Sequence, residues 1–147
     1  MPAGNTATGA SALKQNTTGA LNTANGGNAL LNNTTGAQNT ATGANALYFN
    51  STGSDNTAIG NAALQNNISD NNTAIGNQAL QANTTGGLNT AIGLQALASN
   101  TTGGNNTALG SLALFSDTTG GANIVLGASA GLNILTANHV IAIGHVV

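Results

Sequence analysis

Few side chains in this sequence are equipped for acid–base or nucleophilic chemistry. The chain has 147 residues, of which one is Lys or Arg, three are Asp or Glu and none is Cys. His139 and His145 are the side chains whose type exchanges a proton near neutral pH, and neither has an Asp, Cys or Ser partner in a catalytic arrangement. On a threefold axis one His per chain would complete a three-His metal site, because symmetry supplies the missing ligands. The blander reading is a solvated or capping His near the end of a repeat tract. Asp55, Asp70 and Asp117 fall in turn-like segments. The Gly-rich stretches lack the Lys and following helix of a phosphate-binding loop. Several Asn-x-Ser/Thr triplets, including those at Asn16, Asn83 and Asn100, recur because a turn recurs, so they read as turn chemistry rather than glycosylation sites. The expectation is a non-enzymatic chain with no catalytic, cofactor-binding or metal residues and no cofactor.

What organises the chain is a repeat, most regular at residues 72–88, NTAIGNQALQANTTGGL. Copies begin at Asn5, Asn22, Asn39, Asn56, Asn72, Asn89, Asn106 and Asn123, 17 residues apart except for a step of 16 between Asn56 and Asn72. The missing residue falls in NISDN, a connection that tolerates deletion better than a packed strand does. Down the columns, Asn opens every copy. Thr follows seven times and then Ile124, and Ala follows seven times and then Val125. The next position runs Thr8, Asn25, Thr42, Ile59, Ile75, Ile92, Leu109, Leu126, and then Gly is invariant from Gly9 to Gly127. A second unbroken Ala column, Ala12 to Ala130, precedes Leu in all copies but the last, which has Gly131.

Composition narrows the class. Apolar residues make up 40 % of the chain, yet only 2 % is aromatic and much of the rest is Ala, so burial must come from small side chains packed regularly. Charged residues at 3 % leave no basic cluster to neutralise phosphates, which argues against nucleic acid as a partner. No apolar run approaches the roughly 20 residues of a membrane helix, so no membrane insertion is expected. MPAGNTATG lacks the charged start and apolar core of a signal peptide. Strict Ile, Leu and Ala columns and low charge also argue against disorder.

Seventeen residues are too few for a helix pair, and Thr and Ile between fixed Gly and Asn favour short strands and tight turns. The reading is all-β: a parallel β-solenoid, or β-roll, of about eight 17-residue coils over 1–137, with 138–147 a degenerate closing strand. In each coil NTAI is expected as one strand, xxAL as a second and NTTG as a turn. At about 4.8 Å per coil, eight coils span roughly 38 Å. Stacked columns allow Asn amide ladders, and they disfavour charges, which would repel copies of themselves.

Alternation along NTAIG puts Thr and Ile on one face and the middle Ala on the other. The expectation is that the Ala column makes close contact with another chain, so that several chains associate along their lengths. Polar Thr8, Asn25 and Thr42, against later Ile and Leu, lead us to expect better packing in the C-terminal half and fraying first at the N-terminus.

Runs of NTAIGxxAL and NTTGxxN, with GASAGLN at 127–133 and HVIAIG at 139–144, resemble the repeats of bacterial and phage tail-fibre-like proteins. They are also similar to the shorter repeats in trimeric autotransporter adhesin heads. The resemblance spans Asn5 to Gly144 and implies a homotrimeric left-handed β-roll. It implies an extracellular, cell-surface or virion location and a role as fibre shaft or adhesive head, the cell-surface or glycan target being undefined. Departures are the longer unit and Thr in place of the adhesin's Val. Two other functions are consistent with the columns: a self-assembling extracellular filament subunit, and an ice-binding solenoid using Thr columns. In the second, the Thr-Ala-Thr of 6–8 and 40–42 is not sustained in later copies.

Overall fold

Thr, Ile and Leu flanking a single Ala suit a short extended segment, and the Gly that follows ends it. The computed structural model describes residues 2–145. Among them are nine three-residue strands: β1 (Thr6–Thr8), β2 (Thr23–Asn25), β3 (Thr40–Thr42), β4 (Thr57–Ile59), β5 (Thr73–Ile75), β6 (Thr90–Ile92), β7 (Thr107–Leu109), β8 (Ile124–Leu126) and β9 (Ile141–Ile143). They form one parallel sheet in sequence order, and no helix occurs among the described residues. The protein is a β-solenoid of about eight turns. Each residue pairs with its own column, as Ala74 does with Ala58 and Ala91. Register survives the 16-residue step because the shortening is confined to the turn around Ser69, whose carbonyl takes the place of the usual Gly carbonyl. Of the closing segment, Val146 and Val147 lie outside the described residues.

The xxAL segment is not a second strand. It is a corner in which the backbone N–H of each Ala donates to the preceding Gly carbonyl, as Ala96 does to Gly93. The Leu column has φ between 50° and 54° from Leu13 to Leu114, and the position two residues earlier is left-handed as well (Gln95, φ 53°). A strand would place adjacent Ala and Leu on opposite faces. At this corner both turn inward: Ala96 and Leu97 are fully buried, as are their counterparts in neighbouring coils. Left-handed φ costs an ordinary residue of order 1–2 kcal/mol. Here it is offset by hydrogen bonds between coils, such as Leu97 N–H to the Ala113 carbonyl at 2.9 Å. The same constraint accounts for Gly131, which stands in the Leu column with φ 65°. A Cβ there would approach Val125 and Ile134, so the larger residues of this coil occupy the space that Leu fills elsewhere.

The strand Ala column is interior, which overturns its assignment as a chain contact. Ala41, Ala58, Ala74, Ala91, Ala108 and Val125 are buried within one chain, together with the Ala–Leu corner. Thr and Ile face outward instead. The solenoid is thin enough that a methyl group fills its width beside Leu, so each chain closes its own core. The change from Thr8 and Thr42 to Ile and Leu therefore alters the surface and not the core. The interior of the middle coils is equally closed in both halves, which removes the packing argument for a stronger C-terminal half.

Replacing Ala91 with Glu is accordingly expected to abolish folding rather than assembly, because a carboxylate would enter an alanine-lined interior without a partner. Loss of the cooperative thermal transition in circular dichroism is the expected result. A variant that melts like the parent would put this column back on the surface.

Candidate functional site

Two columns of Asn lie inside the solenoid, and they are bonded differently. In the opening column, the side-chain oxygen of each Asn accepts the backbone N–H of the residue one repeat further on, Val140 in the case of Asn123, and its amide donates to a carbonyl in the turn that closes its own coil. Asn89 Oδ1 accepts from Asn106 N at 2.9 Å, and Asn89 Nδ2 donates to Gly103 O at 2.9 Å. These amides staple backbone to backbone. The second column, at the start of each NTTG turn, is a true amide ladder. Asn33 Nδ2 donates to Asn16 Oδ1 at 2.7 Å, and the series continues through Asn50, Asn67 and Asn83 to Asn100 Nδ2, 2.9 Å from Asn83 Oδ1. Each Nδ2 also donates to the carbonyl that closes its own turn, for example Asn100 to Gly103 at 3.0 Å.

This ladder decides how the Asn-x-Ser/Thr triplets are read. Asn83 and Asn100 are fully buried and both amide hydrogens are engaged. Asn16 is less enclosed but donates to Gly19 O at 2.8 Å. A glycan would have to replace these bonds, so these three triplets serve the turn. Gly in the fourth turn position is steric: a Cβ on Gly103 would collide with the Gly120 carbonyl of the next coil and with Asn100 Oδ1.

The titratable side chains are scattered. His139 is exposed at a left-handed corner (φ 59°). The exposed His145 places Nδ1 2.9 Å from the Ala128 carbonyl, which requires that nitrogen to donate. No group of three His, Cys, Asp or Glu residues that could hold a metal occurs among the described residues. Asp55 and Asp70 are exposed in turns. Asp117, read from the sequence as another turn Asp, does open a turn, but it is also fully buried in the column of ladder Asn residues. Column alignment carried that signal, since DTTG stands where NTTG stands elsewhere.

The surface with repeated chemistry is the outward face of the sheet. Thr57, Thr73, Thr90 and Thr107 stand in one column, and Ile59, Ile75, Ile92 and Leu109 in the next. Ile59 and Leu109 are 39 % and 44 % exposed, and Ile141 and Ile143 at the C-terminal end are 71 % exposed. The first threonine of each turn bonds along the stack, as Thr84 Oγ1 does to Thr101 O at 2.9 Å, whereas the second, such as Thr85 and Thr102, is exposed. The sheet face thus presents hydroxyls, methyls and no charge. No helix among the described residues is long and apolar enough to cross a membrane. Comparison with known protein families, curated proteins and solved structures finds no match.

The opening Asn column can be tested directly. Asn89→Ala leaves the buried Asn106 N–H without its acceptor, and is expected to destabilise the fold by about 1–3 kcal/mol. Chemical denaturation measures this. An unchanged midpoint would mean that the staple adds nothing.

Proposed function

We propose that this chain is a non-enzymatic structural and adhesive fibre module, acting outside the cell as a rigid repetitive rod that associates with copies of itself. The observation that carries this reading is the uncharged apolar column of Ile59, Ile75, Ile92 and Leu109, which runs along the rod beside a Thr column. Contiguous exposed apolar surface of this kind marks interaction sites on soluble proteins. The rod itself is stiff for a mechanical reason: its turns are cross-linked by backbone hydrogen bonds around the whole perimeter and by the two Asn columns inside. The homotrimer implied by the resemblance would pack through this outward face in place of the Ala column. The experiment is absolute mass in solution by light scattering, for the parent and for Ile75→Lys/Ile92→Lys. The parent is expected at three chain masses, and the variant at one with unchanged circular dichroism. A monomeric parent would overturn self-association, and a very large polydisperse species would favour the open filament.

Ice binding has one observation in its favour: the strand threonines of β2 to β7 face outward in a single unbroken column on an uncharged sheet. On that reading, the purified protein shows thermal hysteresis that Thr73→Glu/Thr90→Glu removes. Absence of hysteresis in the parent would eliminate it.

A further inference from the structure

The amide ladder breaks at one place, and the break is chemically specific. From Asn16 to Asn100 every rung is an Nδ2–H donating back to the previous Oδ1. The next residue in the column is Asp117, whose carboxyl has no N–H, and the one after is Ile134. Asn100 Oδ1 therefore loses its donor. Asp117 Oδ1 accepts the Gly120 N–H at 3.0 Å, which leaves its Oδ2 over. Asn100 Oδ1 and Asp117 Oδ2 are the two buried side-chain polar atoms without a partner among the described residues. They are consecutive in a ladder whose other rungs measure 2.7–3.5 Å. Two oxygen acceptors in that relation repel unless a hydrogen lies between them.

We propose that Asp117 is a neutral carboxylic acid in the folded protein, its Oδ2–H donating to Asn100 Oδ1 as the missing rung, and that ionising it loosens the C-terminal coils. One proton restores both atoms at once: Oδ2 becomes a donor and Asn100 Oδ1 regains one. Ionisation would instead bury a charge against a carbonyl dipole in a site closed to water.

The charged and titratable surroundings do not oppose this. The turn before, Asn100–Gly104, and the turn after, Ile134–Asn138, contain no ionisable residue, nor do Asn106 and Asn123 beside them. His139 follows directly but is exposed on the outside. No cation is present in these elements to hold a carboxylate ionised. Burial raises the Asp117 carboxyl above its ordinary 3.8, outweighing the lowering effect of the Gly120 and Thr118 backbone bonds.

The sign follows from linkage. A carboxyl that holds its proton more tightly when folded adds stability that is fully present below the unfolded value, near pH 3.8. That stability is lost as pH rises through the higher folded value. This is opposite to the usual behaviour of a salt-bridged Asp.

The experiment is a carbon-13 carboxyl NMR titration of the full chain, which has only three Asp, with Asp117→Asn assigning one of them. The resonance absent from the variant is expected to titrate in a later step, above the ordinary Asp value of 3.8. Melting temperature should fall with rising pH in the parent across that later step, and should lack this component in Asp117→Asn, which carries the amide found in the other copies. An Asp117 resonance that titrates at or below the ordinary Asp value, or parent and variant with the same pH profile of melting, would overturn the proposal. If the variant does not fold, the parent's titration decides alone: a carboxyl that titrates above the ordinary Asp value supports the proposal and its absence overturns it.

Discussion

Everything in this molecule depends on the stacking of each residue on its own kind in the next coil. Parallel strands of three residues are too short to hold a sheet by themselves, so hydrogen bonds between coils continue past the strands through the corners and turns. That continuity admits few residue types at each position. Gly is required where a neighbouring carbonyl leaves no room for Cβ. Asn is required where a backbone N–H and a turn carbonyl must be satisfied from inside.

The interior this produces differs from an ordinary hydrophobic core. Its apolar part is two Ala and one Leu per coil, too narrow to accept a larger side chain without compensation. Coil eight shows the compensation, with Val125 for Ala, Gly131 for Leu and Ile134 for Asn. Its polar part is two columns of amides, each of which has a donor and an acceptor and can bond both upward and downward. A carboxyl lacks that symmetry. This is why the single Asp in the ladder is the point where protonation matters, while Asp55 and Asp70, exposed in turns, sit outside the constraint.

The surface inherits the repetition without its restrictions. Interior columns are uniform through the first six coils, whereas the outward column drifts from Thr8, Asn25 and Thr42 to Ile and Leu. The fibre reading rests on that face. It has the same cause as the ladder: one coil's outward residue is held at a fixed spacing from the next, so a modest side chain repeated becomes a continuous stripe.

The 17-residue period, the parallel β-solenoid, the strand at NTAI, the in-register pairing, the loop position of the one-residue deletion and the existence of an Asn ladder were all legible in the sequence. Each is a property of column identity, and stacking like on like converts column identity directly into contact. Which face of the strand is inside was not legible, because Ala satisfies both a narrow interior and a close interchain contact. The corner at Ala–Leu was not read either, although its trace is present: the left-handed columns contain no Val, Ile or Thr, and Gly replaces Leu at position 131. Asp117 was not separated from Asp55 and Asp70 either, although DTTG at 117–120 aligns with NTTG in the other copies. Their environments differ only once the coil closes, when the curvature of the chain determines which turn side chain points to the axis and which to water.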